Sequence, residues 1–188
     1  MAAPTGDLDA ALEAALRNQA WGYDAIFQFL GGPLLGYMRA RGVRDPEDLA
    51  NAVFLKAFRA LHTFRGDGER FRSWLFTIAH HAAIDDRRLR ARRVVETDLE
   101  AMTAEPAGGP EEVADAVLAR LGAERVDALL ARLSPDQRDV IILRVVADLT
   151  VEQTGAVLGK SYEAVKALQR RGLASLKREL LSDEAVPR

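Results

Sequence analysis

The sequence predicts an all-α chain of two small helical domains joined by a flexible linker. Three observations carry this. Apolar residues recur at the helical period in almost every segment, and no stretch alternates as a strand does. Helix starts are marked by capping residues with proline just behind them or glutamine three positions on. Over residues 94–112 the apolar stripe stops, and Pro106, Gly108, Gly109 and Pro110 gather among acidic residues. That composition suits a tether and not a packed element. The 188 residues thus divide into an N-terminal extension (1–20), a first domain (21–93), the linker (94–112), a second domain (113–182) and a tail (183–188).

In the extension, residues 7–16 predict a short helix. Residues 21–41 predict a longer one carrying Ile26, Phe29, Leu30, Leu34, Tyr37 and Met38, with a kink or break at Gly31-Gly32-Pro33. Asp45-Pro46-Glu47 is a start signal: a capping acid, proline at the first helical position and an acid in the first turn. The helix behind it runs to about Leu61 and buries Leu49, Val53, Ala57 and Leu61. A charged, glycine-bearing loop over 65–70 then leads into a helix with Phe71, Trp74, Leu75, Ile78, Ala82 and Leu89 at helical spacing. This helix ends in Arg87, Arg88, Arg90, Arg92 and Arg93. Beyond the linker, residues 113–133 predict a helix interrupted at Gly122. Ser134-Pro135-Asp136-Gln137 opens the next, which buries Val140, Ile141, Leu143, Val146 and Ala147. Thr150 and Gln153 box the start of a short helix to Leu158, Gly159 makes the turn, and a last helix runs from Tyr162 to about Leu181.

A net charge of −2 does not announce a polyanion binder, but the charge is segregated. Residues 85–93 carry five Arg against two Asp, and 160–178 carry Lys160, Lys166, Arg170, Arg171, Lys177 and Arg178 against Glu163. The chain has no cysteine, which excludes disulfides, zinc–thiolate sites and thiol chemistry. No apolar run approaches the ~18 residues of a membrane span. The N-terminus lacks the basic start of a secretory signal, so a cytoplasmic protein without membrane insertion is expected. Adjacent His80 and His81 point about 100° apart on a helix. With only His62 besides, no metal site is expected. Asp85 and Asp86, set among arginines, are expected as intrahelical salt-bridge partners and not as a catalytic pair. No nucleophile or metal-ligand constellation points to an enzyme, so neither catalytic residues nor cofactors are expected.

Two stretches suit nucleic acid. Gly155 lies four residues before the turn glycine Gly159, and Val165 and Leu168 lie six and nine after it, the spacing of a helix-turn-helix. On the last helix Val165, Leu168, Gly172, Leu176 and Leu180 make the apolar face. Glu163, Lys166, Ala167, Arg170, Arg171, Ala174 and Lys177 lie opposite. A helix buried on one side and cationic on the other fits the DNA major groove; an ordinary helical hairpin with a solvated charged face is the alternative, which the turn glycine, the small residue at 155 and the sign of the charge disfavour. Residues 64–93 combine aromatic side chains with a basic end, which suits stacking on unpaired bases. A core helix with a solvated basic end has the same pattern.

Three runs, taken together and in order, carry a family resemblance: DPEDLANAVFLKAFRAL, FRGDGERFRSWLFTIAHHAAIDDRRLRARR and LSPDQRDVIILRVVADLTVEQTGAVLGKSYEAVKALQRRGLASL. They resemble the extracytoplasmic-function (group 4) RNA polymerase sigma factors of the sigma-70 family, over about residues 22–93 and 124–180. The resemblance implies a region 2 helical bundle and a region 4 helix-turn-helix. It also implies a non-enzymatic subunit that directs bacterial core RNA polymerase to promoters and melts the −10 element. It places Asp48, Asn51 and Leu55 on the clamp helices of the largest polymerase subunit, although Asn51-Ala52 stand where the family usually has Gln-Glu. It places Phe64, Arg65, Asp67, Arg72, Trp74, Thr77, His81, Ile84, Arg87 and Arg88 on the single-stranded −10 element. Of these, Trp74 reads either as part of the DNA track or as core, and His81 stands where several members carry Asn. Ser161, Tyr162, Glu163, Lys166, Arg170 and Arg171 are placed on the −35 element, behind a Thr154-Gly155 pair that replaces the common Ile-Ala. The flap of the second-largest polymerase subunit and an anti-sigma factor are further partners implied. The rival reading is a stand-alone helix-turn-helix regulator with an N-terminal sensor or dimerisation domain, which would have no need of a basic, aromatic helix entered through an FRGD loop.

Overall fold

The structure is a computed structural model that describes residues 7–96, 125–126 and 128–184. Linker residues 97–112, most of the helix expected over 113–133 and the end of the tail lie outside the described residues. Among the described residues every element is helical. Asp7 starts α1 (Leu8–Leu16), its Oδ1 accepting the Asp9 N–H at 2.9 Å. α1 crosses α2 (Ala20–Ala40) at Gly22, where a Cβ would come within 2.4 Å of the Ala15 backbone nitrogen. Only glycine permits that approach.

α2 is one continuous helix through Pro33, so of the kink or break expected from sequence the break does not occur. A mid-helix proline costs about 3 kcal/mol and each glycine about 1 kcal/mol. Against this, Leu30, Leu34, Tyr37 and Met38 beyond and around it are fully buried, each contributing roughly 1.5–3 kcal/mol. Burial wins. α3 (Pro46–Ala60) begins as its start signal predicts, although the Asp45 side chain makes no capping hydrogen bond. It buries Ala50, Val53, Phe54 and Ala57 and ends in a short 3-10 turn.

The helix after the FRGD loop, α4, starts at Gly68, three residues before the expected Phe71, and runs on to Glu96, three residues beyond the expected end at Arg93. Phe71, Leu75, Phe76 and Ala79 are fully buried and seat it against α2 and α3. Leu89 keeps the helical spacing but is 49% exposed, on the wall of an open groove that it shares with Leu49 and Lys56 of α3. In the second domain α5 (Pro135–Val145) and α6 (Val151–Leu158) both open with complete capping boxes, at Ser134/Gln137 and Thr150/Gln153. Gly159 then takes φ 63° as the turn before α7 (Tyr162–Glu184). Val165 and Leu168 close on Val140. Gly172 lies where a Cβ would be 3.0 Å from Ile141, whereas Leu180 is exposed.

The two domains also touch. Ile142, Leu143, Leu149 and Val157 join the buried cluster of the first domain, and α6 packs on α4. Arg41, at the end of α2, pairs with Asp139 of α5, their side chains only 10% and 14% exposed. Beside this pair the Tyr37 hydroxyl meets His80 Nδ1 at 3.0 Å. Burial above all, then Arg41 and His81, hold His80 below its ordinary value of 6.5, with Asp139 opposing them. Burial likewise pushes the Tyr37 hydroxyl well above 10.0. The hydrogen bond thus joins a neutral imidazole to a neutral phenol.

A pH dependence follows. The unfolded chain protonates His80 as pH falls through 6.5, while the folded chain resists. This contribution to stability is complete above that value and is lost below it. Urea midpoints between about pH 7 and about pH 5 should fall with pH in the wild type and fall less in His80→Gln; parallel curves would reject the assignment.

Candidate nucleic-acid interface

The loop into α4 is built on aromatic packing. Phe64 is 9% exposed, its ring edge-on to Phe71 at 5.4 Å and tilted over Trp74 at 5.2 Å. Phe64, expected at a DNA surface, thus lies beneath the loop as its support. Trp74 is half-buried, with one side in this cluster. Arg65 staples the loop, donating from Nη1 to the carbonyls of His62 at 2.9 Å and Phe64 at 2.7 Å. Asp67 caps α4, its Oδ1 accepting the Arg70 N–H at 2.8 Å.

Along α4 the expected track divides by exposure. His81, Arg87 and Arg88 are exposed, as are Arg65 and Asp67 in the loop. Arg72, Trp74, Thr77 and Ile84 are half-buried. Arg72 faces Asp148 of the second domain at 3.7 Å, and Thr77 bonds back to the Ser73 carbonyl at 2.9 Å. His80 and His81 point inward and outward respectively, as their angular separation predicts. Asp85 and Asp86 do pair within the helix, with Arg88 at 3.7 Å and Arg90 at 2.8 Å. Among the described residues no group of three or more His, Asp or Glu is placed to hold a metal, and no helix is long and apolar enough to cross a membrane.

On the second domain Ser161, Tyr162, Glu163, Lys166, Arg170 and Arg171 are all exposed and come together on the open side of α7. Lys166 Nζ lies 5.3 Å from the centre of the Tyr162 ring one turn earlier, a cation–π contact between two exposed side chains. Behind this face, a Cβ on Gly155 would meet the Lys160 carbonyl at 2.7 Å, so a larger residue there would require the backbone of the turn to shift. Its neighbour Thr154 is fully buried, and its hydroxyl has no hydrogen-bond partner among the described residues. An unpaired buried hydroxyl costs about 1–3 kcal/mol. Thr154→Val should therefore raise the unfolding midpoint by the equivalent of about 1 kcal/mol; an unchanged or lower midpoint would show that the hydroxyl is satisfied.

Asp48, Asn51 and Leu55 lie together on the outer face of α3, with Leu55 51% exposed. Beside them is a groove of about 500 Å³ between α2 and α3, lined by Phe27, Gly31, Gly32, Leu35 and Asn51. Phe27 is 48% exposed over Phe54 and was not among the residues singled out from sequence. The signal was present, since Phe27 falls off the Ile26–Leu30–Leu34 stripe. The glycines read from sequence as helix breakers instead leave the groove open: nothing lies within 4 Å of a Cβ at Gly32.

Two family models match the chain, sigma-70 region 2 over residues 31–93 and sigma-70 region 4 over residues 129–178. The ECF RNA polymerase sigma factor BldN of Streptomyces coelicolor is 32% identical over 163 residues, 86% of this chain and 58% of BldN. The ECF RNA polymerase sigma factor SigD of Mycobacterium tuberculosis is 30% identical over 184 residues, 93% of this chain and 84% of SigD. The chain thus spans little more than half of BldN but most of SigD. Among solved structures, CnrH in complex with the cytosolic domain of CnrY aligns with a TM-score of 0.69 at 26% identity, over 94% of this chain and 99% of that one. The sigma factor RpoE in complex with the anti-sigma factor NepR from Bartonella quintana shares the fold, with a TM-score of 0.54 at 24% identity over 84% and 99% of the two chains.

Proposed function

The chain belongs to the extracytoplasmic-function RNA polymerase sigma factors of the sigma-70 family, and we propose that it acts as a detachable specificity subunit of bacterial RNA polymerase. In this role α7 holds the −35 element as duplex while the loop and outer face of α4 hold one strand of the opened −10 element. The observation that carries the reading is the pairing, in one chain, of an exposed cationic helix behind a glycine turn with an arginine-stapled aromatic loop feeding a second basic helix. Either alone suits many DNA-binding proteins; together they suit a protein that grips duplex at one end and melted strand at the other.

The energetics fit. Unstacking a base costs a few kcal/mol, and a stacking platform returns about 1–3 kcal/mol per base. The exposed side of Trp74, with His81 and Arg88 beyond it on the same stripe, supplies a platform followed by hydrogen-bonding and cationic groups. No bond is made or broken by the chain, so the role is that of an initiation factor and not of an enzyme. Asp48, Asn51 and Leu55 supply a docking face for the clamp helices of the largest polymerase subunit. Phe27 and its groove extend that face with apolar surface. The second domain would meet the flap of the second-largest subunit.

A protein inhibitor of the anti-sigma class is the further partner in this reading. The similarity to CnrH, solved with a bound partner domain, supports it. So does an apolar cleft of about 840 Å³ between the domains, walled by Val43, Ile142, Val145, Val146, Leu173 and Leu176. The compartment of action is the cytoplasm, where the polymerase is.

Run-off transcription with purified chain, core polymerase and a genomic promoter library tests the reading. Specific transcripts that require both proteins, with weak duplex binding by the chain alone, are expected. Tight, sequence-specific duplex binding without polymerase and no transcription with it would favour the stand-alone regulator.

A further inference from the structure

The helix α1 lies outside both matched family regions. It nevertheless reaches the start of α4. Asp9 Oδ1 accepts the backbone N–H of Gly68 at 2.5 Å, across 59 residues of chain. Gly68 is the first residue of α4, and its N–H is one of the four that a helix leaves without an internal partner. A second of the four, from Arg70, goes to the Asp67 carboxylate, while the Phe71 N–H already closes on the Asp67 carbonyl. Two carboxylates therefore sit at the positive end of α4. One comes from the loop itself and one from a separate helix, and the hydrogen bonds they accept are charge-assisted.

The anchor is rigid on its own side. Asp7 caps α1, and Ala11, Ala14 and Ala15 are locked against Gly22, so the height of Asp9 is set by a helix crossing that admits no side chain. Leu8 closes over Gly68, where a Cβ would stand 3.0 Å from Leu8 Cγ and 3.2 Å from Asp9 Oδ1. The loop between is short and conformationally special: Gly66 takes φ 151°, which side-chain-bearing residues rarely adopt. One end of this loop is fixed by Phe64 in the aromatic cluster and the other by Gly68 on Asp9.

We propose that Asp9 is a positioning residue for promoter melting: by holding the Gly68 amide it fixes where α4 begins, and so sets the pose of the 64–67 loop and of Trp74 toward the melted strand. This rests on the reading of residues 64–88 as the −10 contact. It makes α1 a working part of region 2 and not an appendage. Asp9→Ala removes the acceptor, whereas Asp9→Asn keeps an oxygen at the same place without the charge.

The test uses the full chain with core polymerase on a promoter it transcribes. Open-complex formation is followed by permanganate reactivity of −10 thymines, and affinity for −35 duplex and thermal midpoint are measured alongside. Asp9→Ala should slow opening by about ten-fold, as loss of a hydrogen bond to a charged group would. Duplex affinity should be unchanged, and Asp9→Asn should recover most of the rate. The Gly68 amide resonance should move and exchange faster in Asp9→Ala. Opening at the wild-type rate in Asp9→Ala would overturn the proposal. So would a loss matched by equal losses of duplex affinity and thermal midpoint, or no recovery in Asp9→Asn. A wild-type chain that opens no promoter with core polymerase overturns the reading of residues 64–88 instead, and the Gly68 resonance then decides by itself whether Asp9 is the anchor.

Discussion

Asp139→Ala will open the molecule: small-angle scattering of the full chain should give a larger radius of gyration while helicity holds. Asp139 on α5 and Arg41 on α2 are paired with little exposure, and Arg41 lies near the neutral Tyr37–His80 pair. Removing one partner of a buried ion pair costs about 3–5 kcal/mol, because the other charge is left without water or counterion. Here the stranded guanidinium has an escape, since α2 and α5 belong to different domains. Parting them rehydrates Arg41 at the expense of the remaining interface. That remainder is the apolar packing of Ile142, Leu143, Leu149 and Val157 on the first domain, with α6 on α4, and two polar links, Gln153 Nε2 to Glu69 at 3.3 Å and Arg72 to Asp148 at 3.7 Å. Such partly exposed links contribute at most about 1 kcal/mol each. Opening gives up that packing but leaves no charge buried, so the population should shift toward the open form while each domain keeps its own core. Arg41→Met with Asp139→Leu removes both charges and should restore the compact form. A wild-type radius in Asp139→Ala would show that the pair does not hold the domains together.

How much of this was legible in the sequence follows from how local each feature is. The capping boxes at Ser134 and Thr150, the turn at Gly159 and the different environments of His80 and His81 depend on residues within one turn of each other, and the structure has them all. The continuity of α2 does not depend on such residues. Pro33 and its glycines signal a break, and only the burial of Leu30, Leu34, Tyr37 and Met38 against other helices overrides them. Periodicity told which side of α4 faces the core but not where the core ends, so Leu89 was placed inside. Phe64 reads as a DNA contact through the family resemblance alone, because an aromatic in a charged loop can point either way. Its direction is set by Phe71 and Trp74. The contacts least visible in sequence join distant stretches, Asp9 to Gly68 and Arg41 to Asp139, and no spacing rule connects them.

Lys166→Ala and Arg170→Ala should each weaken binding of the polymerase-bound chain to its −35 element, and the pattern of loss will say what each contacts. The two residues lie one helical turn apart on the exposed face of α7, with Tyr162 one turn before Lys166. A bidentate contact to a base edge is worth about 1–3 kcal/mol and fails only on the sequences that carry that base. A phosphate contact is lost evenly across sequences and lowers the slope of log affinity against log salt by about one. The geometry favours different outcomes for the two. Lys166 is a compact ammonium held near the Tyr162 ring, suited to a phosphate as a point charge. Arg170 carries a planar fork suited to guanine. Holoenzyme binding to −35 duplexes altered one base pair at a time, each measured at several salt concentrations, separates the cases. Lys166→Ala should then shift every duplex alike, and Arg170→Ala should flatten discrimination at one position. Wild-type transcription and binding in both variants would mean that DNA meets a different face of α7.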